Sequence, residues 1–168
     1  MTAFCYATKY LSIFQLFHCA DPVLQQQAFV YACENGYLDT VKYILANESY
    51  FIIDINGIDS IHGETALTSA AGHGHIHIVD YLITNCDADI DRINSKQMTP
   101  LLLAVKNGMW SCVDYLLDHQ ASIEHCDKQN RTCLIIAASE GHLAVLDSLL
   151  EKGNNFIFEW MNELFSFV

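Results

Sequence analysis

The sequence predicts an all-α solenoid: helix-turn-helix units stacked in one dimension and joined by finger-like loops. Three observations lead there. Glycines at Gly36, Gly74, Gly108 and Gly141 stand 38, 34 and 33 residues apart, and a period near 33 marks stacked supersecondary units. Around each glycine the wording recurs, as QAFVYACENGYLDTVKYIL from Gln27, ETALTSAAGHGHIHIVDYLI from Glu64, TPLLLAVKNGMWSCVDYLL from Thr99 and TCLIIAASEGHLAVLDSLL from Thr132. Each copy also carries apolar residues at helical spacing after its glycine.

The elements follow in order. Residues 1–20, MTAFCYATKYLSIFQLFHCA, are apolar and aromatic and carry no repeat pattern. The run LSIFQLF resembles the core of a secretory signal, but Gln15 interrupts it and Lys9 is the only basic residue before it, which leaves a helix covering the exposed end of the first repeat or a segment of an incomplete gene model as the readings beside a cleaved signal. The repeat domain is expected over 21–153, in units 21–58, 59–93, 94–126 and 127–153. Asp21 and Pro22 read as the N-cap and first position of a helix. The connection after Leu45 is five residues longer than its later counterpart, an insertion around Asn47 to Ile53 expected to extend a finger. In the next three units Thr65, Thr99 and Thr132 are placed to cap a short helix, with Pro100 tolerated at its first position. Small residues at Ala70, Ala104 and Ala137 let helix pairs approach, and the repeated glycine ends the helix in the left-handed conformation.

A second helix then presents one apolar face: Leu38, Val41, Ile44 and Leu45, then Ile76, Val79, Leu82 and Ile83. Trp110, Val113, Leu116 and Leu117 repeat it, as do Leu143, Leu146, Leu149 and Leu150. A pair this short is stable only against its neighbour. In the last two units the glycine before the Thr is replaced by Gln97 and Asn130; Asn tolerates a positive φ and Gln does so poorly, so a different turn is expected at Gln97. After Gly153 the pattern stops, and 154–168, NNFIFEWMNELFSFV, reads as an aromatic tail or capping helix. It is too short to span a bilayer, which takes about 20 residues.

These residues resemble the ankyrin repeat, whose pattern G-x-T-P-L-H-x-A-A-x-x-G-H is matched by Gly63, Thr65, Leu67, Ala70, Ala71, Gly74 and His75. Thr99, Pro100, Leu101, Ala104 and Gly108 match it in the next copy; Thr132, Leu134, Ala137, Ala138, Gly141 and His142 match it in the last. The pattern's His is replaced by Thr68, Leu102 and Ile135, so its bonding has to be met differently. The phrases GETALTSAAGHGH, KNGMWSCVDYLL and DKQNRTCLIIAASEGHLAVLDSLLEKG are similar to the ankyrin array of the TANC scaffold family. That resemblance implies a scaffold of postsynaptic or muscle-attachment sites, with a nucleotide-binding segment before the array and tetratricopeptide repeats after it. A piece of a longer protein is therefore expected.

Composition narrows the function. The chain has 168 residues, 52% hydrophobic and 17% charged, with a net charge of −12. Such a field repels phosphate backbones and anionic lipid, so protein partners are expected, without nucleic acid or membrane insertion, for an array that is monomeric in isolation. Seven cysteines without a C-x-x-C pair fit a reducing, cytoplasmic location rather than a disulfide framework. His62, His73, His75 and His77 raise the question of a metal, but spread over a helix end, a turn and the next helix start they do not read as a zinc site. Phosphate-loop and nucleophile-elbow motifs are absent from the sequence, Cys33 and Cys133 read as core, and neither catalysis nor a cofactor is expected.

What remains is a surface. Positions that escape stacking are the loop residues before each Thr: Ser60, His62 and Glu64; Ser95, Lys96 and Met98; Lys128, Gln129 and Arg131. The other set ends each first helix: Glu34 and Asn35, His73, Lys106 and Asn107, then Ser139 and Glu140. Aligned by stacking, they form a concave strip and loop tips suited to a protein partner. Lys96, Lys106, Lys128 and Arg131 concentrate half of the 8 basic residues there, favouring a partner with an acidic or polar patch. A regulatory segment of a larger enzyme or channel is the alternative, and a histidine-based metal-binding protein a remoter one.

Overall fold

The computed structural model describes residues 21–47 and 51–152. The expectations for 1–20 and for 154–168 lie outside the described residues. Among those described are eight helices: α1 Pro22–Glu34, α2 Leu38–Ala46, α3 Ala66–Gly72, α4 Ile76–Asn85, α5 Pro100–Lys106, α6 Trp110–Asp118, α7 Cys133–Glu140 and α8 at 143–152. They pair as α1/α2, α3/α4, α5/α6 and α7/α8. The first helices stack as a row, α1 on α3, α3 on α5 and α5 on α7, while α2, α4 and α6 form a second row behind.

Local chemistry places the helix starts. Thr65 Oγ1 accepts the Thr68 N–H at 3.1 Å, Thr99 Oγ1 that of Leu102 at 3.1 Å, Thr132 Oγ1 that of Ile135 at 3.5 Å, and Asp21 Oδ1 that of Val23 at 2.9 Å. Each bond meets one of the orphan donors at a helix N-terminus. Thr68, standing where the repeat pattern has His, completes a capping box by accepting the Thr65 N–H at 2.8 Å. The helices end at Gly36, Gly74, Gly108 and Gly141, with φ of 75°, 79°, 70° and 76°. At Gly36 a Cβ would also stand 2.7 Å from the ring of His75, and at Gly108 2.8 Å from that of His142; glycine therefore serves both the turn and the packing of the next unit.

The core runs through the stack. Phe29, Leu67 and Leu101 on the first helices and Val41, Ile44, Val79, Leu82, Val113 and Leu116 on the second are at most 2% exposed. The expected apolar face fails at three positions: Trp110, Leu143 and Leu150 are 50%, 73% and 45% exposed. Trp110 begins α6, where its indole N–H donates to Ser148 Oγ at 2.9 Å. In α8 Leu149 turns inward as the leucine spacing suggests and Leu146 packs against the core, but Val145, outside that spacing, is buried with them.

Two turns also correct the sequence expectation. Gln97 does not depart from its neighbours: its φ of 61° matches Asn130 at 57° and Gly63 at 71°. The Asn94 side chain enforces this, its Oδ1 accepting the N–H groups of Lys96 and Met98, each at 2.9 Å. Because a left-handed residue with a Cβ costs roughly 1–2 kcal/mol, Gln97→Gly is expected to stabilise the chain by about 1 kcal/mol, read as a higher midpoint in urea unfolding. The insertion does not simply lengthen a finger. Its described part is pinned along α1, where Gln25 Oε1 accepts the Ile52 N–H at 3.0 Å, and just beyond it Gln26 Oε1 accepts the Asp54 N–H at 3.0 Å.

Candidate partner-binding surface

Each finger is built on one buried Asp or Asn. Asp59 accepts the N–H groups of Ile61 and His62 on Oδ2, at 3.0 and 2.9 Å, and that of Glu64 on Oδ1 at 2.9 Å. Asn94 does the same in the next finger, and Asp127 Oδ1 accepts from Gln129 and Arg131, each at 2.9 Å. All three are at most 5% exposed. Burial alone would push the Asp59 carboxyl upward, but the three N–H donors outweigh it and hold it below the ordinary range. Asp127 is lowered too, against burial, by the Arg131 backbone N–H, the Arg131 guanidinium and the Gln129 N–H. These three residues were overlooked in the sequence, although an Asp or Asn five or six places before each capping Thr is a readable signal.

The fingers are tied edge to edge. Ser95 N–H donates to Gly63 O at 2.8 Å, and the Lys128 ammonium to Ser95 O at 3.0 Å. The helix ends form a parallel row in which one carbonyl of each unit is always met by the next: Glu34 O by His75 Nε2 at 2.8 Å, Gly72 O by Asn107 Nδ2 at 2.8 Å, and Lys106 O by His142 Nε2 at 3.0 Å. Met109 stands where the second and fourth units have His75 and His142, and Asn107 supplies the missing donor.

The predicted strip divides under this geometry. Ser60, His62, His73, Ser95, Lys96, Lys106, Asn107, Lys128, Gln129, Ser139 and Glu140 are exposed, and Glu34, Asn35 and Arg131 are half-buried. Two residues are corrected. Met98 is 5% exposed and part of the core, because the bond from its N–H to Asn94 turns it inward. Glu64, at 8% exposure, is a junction: Oε2 accepts from Thr68 Oγ1 at 2.9 Å and Asn94 Nδ2 at 2.7 Å, and Oε1 pairs with Lys96 at 3.1 Å.

The basic cluster is mostly spent inside the chain. Lys96 faces Glu64, Lys128 caps Ser95 O, and Arg131 holds Asp127 through a 2.7 Å ion pair. The Lys106 ammonium makes no hydrogen bond or ion pair among the described residues, while its backbone carbonyl is engaged by His142. The surface offered to a partner is therefore more polar than cationic.

The histidines are engaged separately. His73 Nδ1 bonds Ser69 O at 2.9 Å and its other nitrogen lies 3.8 Å from Glu34 Oε1; His75 reaches the first unit, and its ring stacks on that of His73 with centroids 6.4 Å apart. Among the described residues no three His, Cys, Asp or Glu side chains are gathered to hold a metal. Burial pushes the Cys112 thiol up to about 11 and that of Cys133 up to about 12, and raises Cys33 as well, with help from nearby Cys86. A thiol held protonated in the core is a packing group rather than a nucleophile.

Stacked helix pairs, capped fingers and an exposed ridge of polar side chains define a repeat-type binding protein. The family model for Ankyrin repeats (3 copies) matches residues 1–94 and 86–158, and the chain belongs to the ankyrin-repeat family. It is 37% identical over 87 residues to the Probable E3 ubiquitin-protein ligase XBOS31 of Oryza sativa subsp. japonica, covering 51% of this chain and 19% of that protein. It is 38% identical over 125 residues to the Ankyrin repeat and KH domain-containing protein mask-1 of Caenorhabditis elegans, covering 74% and 4%. It is 34% identical over 86 residues to the human Transient receptor potential cation channel subfamily A member 1, covering 51% and 8%. The chain thus spans no more than a fifth of these relatives. Ankyrin repeats mediate protein–protein interaction.

Proposed function

We propose that the chain is a non-catalytic module that holds a protein partner on its finger tips and first-helix ends, as part of a cytoplasmic scaffold or adaptor. One observation carries this reading. Two parallel rows of exposed side chains, each linked from unit to unit by hydrogen bonds, differ in residue type at nearly every step, Ser60 and Ser95 aside, while the Thr, Ala and Gly beneath them repeat. A surface whose chemistry varies on a constant frame suits recognition of an irregular partner. The wording shared with the TANC family supports the scaffold role. Among the described residues no helix is long and apolar enough to cross a membrane.

A second reading, a regulatory or recruiting segment of a larger enzyme or channel, is favoured by the names of the ligase and channel relatives. Both readings place the partner on the same rows.

The test is retention of partners from a cell extract by the 168-residue chain, compared with a variant carrying Lys106→Glu, Lys128→Glu and Gln129→Glu. Exposed substitutions of this kind shift stability by about 0.5 kcal/mol or less each, so the circular dichroism and melting curve should hold while partner retention falls at least tenfold. Undiminished retention by the folded variant would remove these rows as the binding surface.

A further inference from the structure

The four units present an internal comparison that exposes an unfinished face. Leu134 on α7 corresponds, counted from the repeat glycine, to Phe29, Leu67 and Leu101. Those three are at most 2% exposed, whereas Leu134 is 39% exposed. Ile135 corresponds to Val30, Thr68 and Leu102, which are at most 1% exposed, yet it is 51% exposed. Ala138 is exposed where Cys33, Ala71 and Val105 are buried, and Leu150 is 45% exposed where Leu117 is 4%. The glycines agree: a Cβ at Gly36, Gly74 or Gly108 would meet the next unit at 2.7 to 2.8 Å, while one at Gly141 would meet nothing within 4 Å among the described residues. The side of α7 and α8 away from α5 and α6 is therefore a stacking interface of the kind made three times earlier in the chain, here without a covering layer among the described residues.

We propose that the aromatic segment 154–168 covers this face and closes the stack. Phe156, Trp160, Leu164 and Val168 fall at four-residue steps, with Ile157, Met161 and Phe165 beside them, the broad apolar stripe a single covering helix requires. A helix of that length reaches about 22 Å. The helices beneath are 8 residues for α7 and 10 for the described part of α8, about 12 and 15 Å, so one helix is long enough to lie along both. Attachment decides the occupant. The segment follows in the chain directly on α8, whose described part reaches Lys152, and so short a tether gives it an effective concentration in the millimolar range. A second copy of the chain at micromolar concentration does not compete with that.

Trp110 and Trp160 are the two tryptophans, so Trp110→Phe leaves Trp160 as the only reporter in the full-length chain. Its emission is expected to be blue-shifted and several-fold less quenched by acrylamide than that of free tryptophan. Ile135→Asp, and separately Leu150→Asp, place a carboxylate on the face at positions the fold leaves open. Either should shift the emission to that of exposed tryptophan and restore the quenching, with the helical circular dichroism unchanged. Val23→Asp, on the first unit, should do neither. Full quenching of Trp160 in the parent chain, or indifference to both face substitutions, overturns the proposal. So does a blue shift that fades on dilution alongside a dimer in sedimentation, which would assign the face to a second copy.

Discussion

Leu101→Ala is expected to lower the unfolding free energy by about 3 to 4 kcal/mol, the cost of a large-to-small change in a core that closes only partly around the cavity. Leu101 is fully buried on α5, one of the two inner first helices, which packs on α3 on one side and α7 on the other. In a one-dimensional stack, stability is roughly a sum of unit terms and nearest-neighbour terms. A cavity at α5 weakens both of its interfaces together. The substitution should therefore reduce cooperativity as well as stability: the melting point falls by about 10 °C or more, and the urea transition broadens as the two halves uncouple. Equilibrium unfolding followed by circular dichroism reads both quantities. A loss under about 1 kcal/mol with the slope retained would mean that α5 does not couple the units on its two sides.

How legible this was in the sequence depended on the range of the interaction involved. Thr65, Thr99 and Thr132 act on N–H groups three residues away, and the repeated glycines satisfy a local torsion, so spacing alone located them. The inner stripe of each second helix was legible for the same reason, through Val41, Val79 and Val113. The misreadings are contacts between units. Glu64 looked like a loop residue with a free carboxylate until Asn94 and Lys96, thirty residues on, were seen to hold it. Met98 looked solvent-facing because nothing in the sequence says that the Asn94 side chain turns its backbone. Gln97 is held left-handed by the same asparagine against its own preference. The basic residues were counted correctly, yet their charge is directed inward, which composition cannot report. The binding rows themselves were legible as what stacking leaves over, which places a surface but not its chemistry.

Asp59→Ala is expected to cost about 3 kcal/mol, because it strands three backbone donors, of which the Glu64 N–H is buried, and an unmet buried donor costs roughly 1 to 3 kcal/mol. Asp59→Asn should cost far less, since Asn94 performs the same task in the next finger with one amide oxygen. The pair of variants also separates shape from charge. The Asp59 carboxyl is held below its ordinary range in the folded chain, against an unfolded value near 3.9. A depressed carboxyl contributes stability that is fully present above the unfolded value and is lost as pH falls through the folded one. The parent chain should therefore lose stability progressively below about pH 4. Asp59→Asn should flatten that loss without abolishing it, because Asp127 is lowered in the same direction. Melting points measured from pH 7 down to about pH 2.5 decide the matter. If Asp59→Ala matches the parent within about 0.5 kcal/mol, or Asp59→Asn follows the parent's acid profile unchanged, the buried carboxylate is not what holds the finger in place.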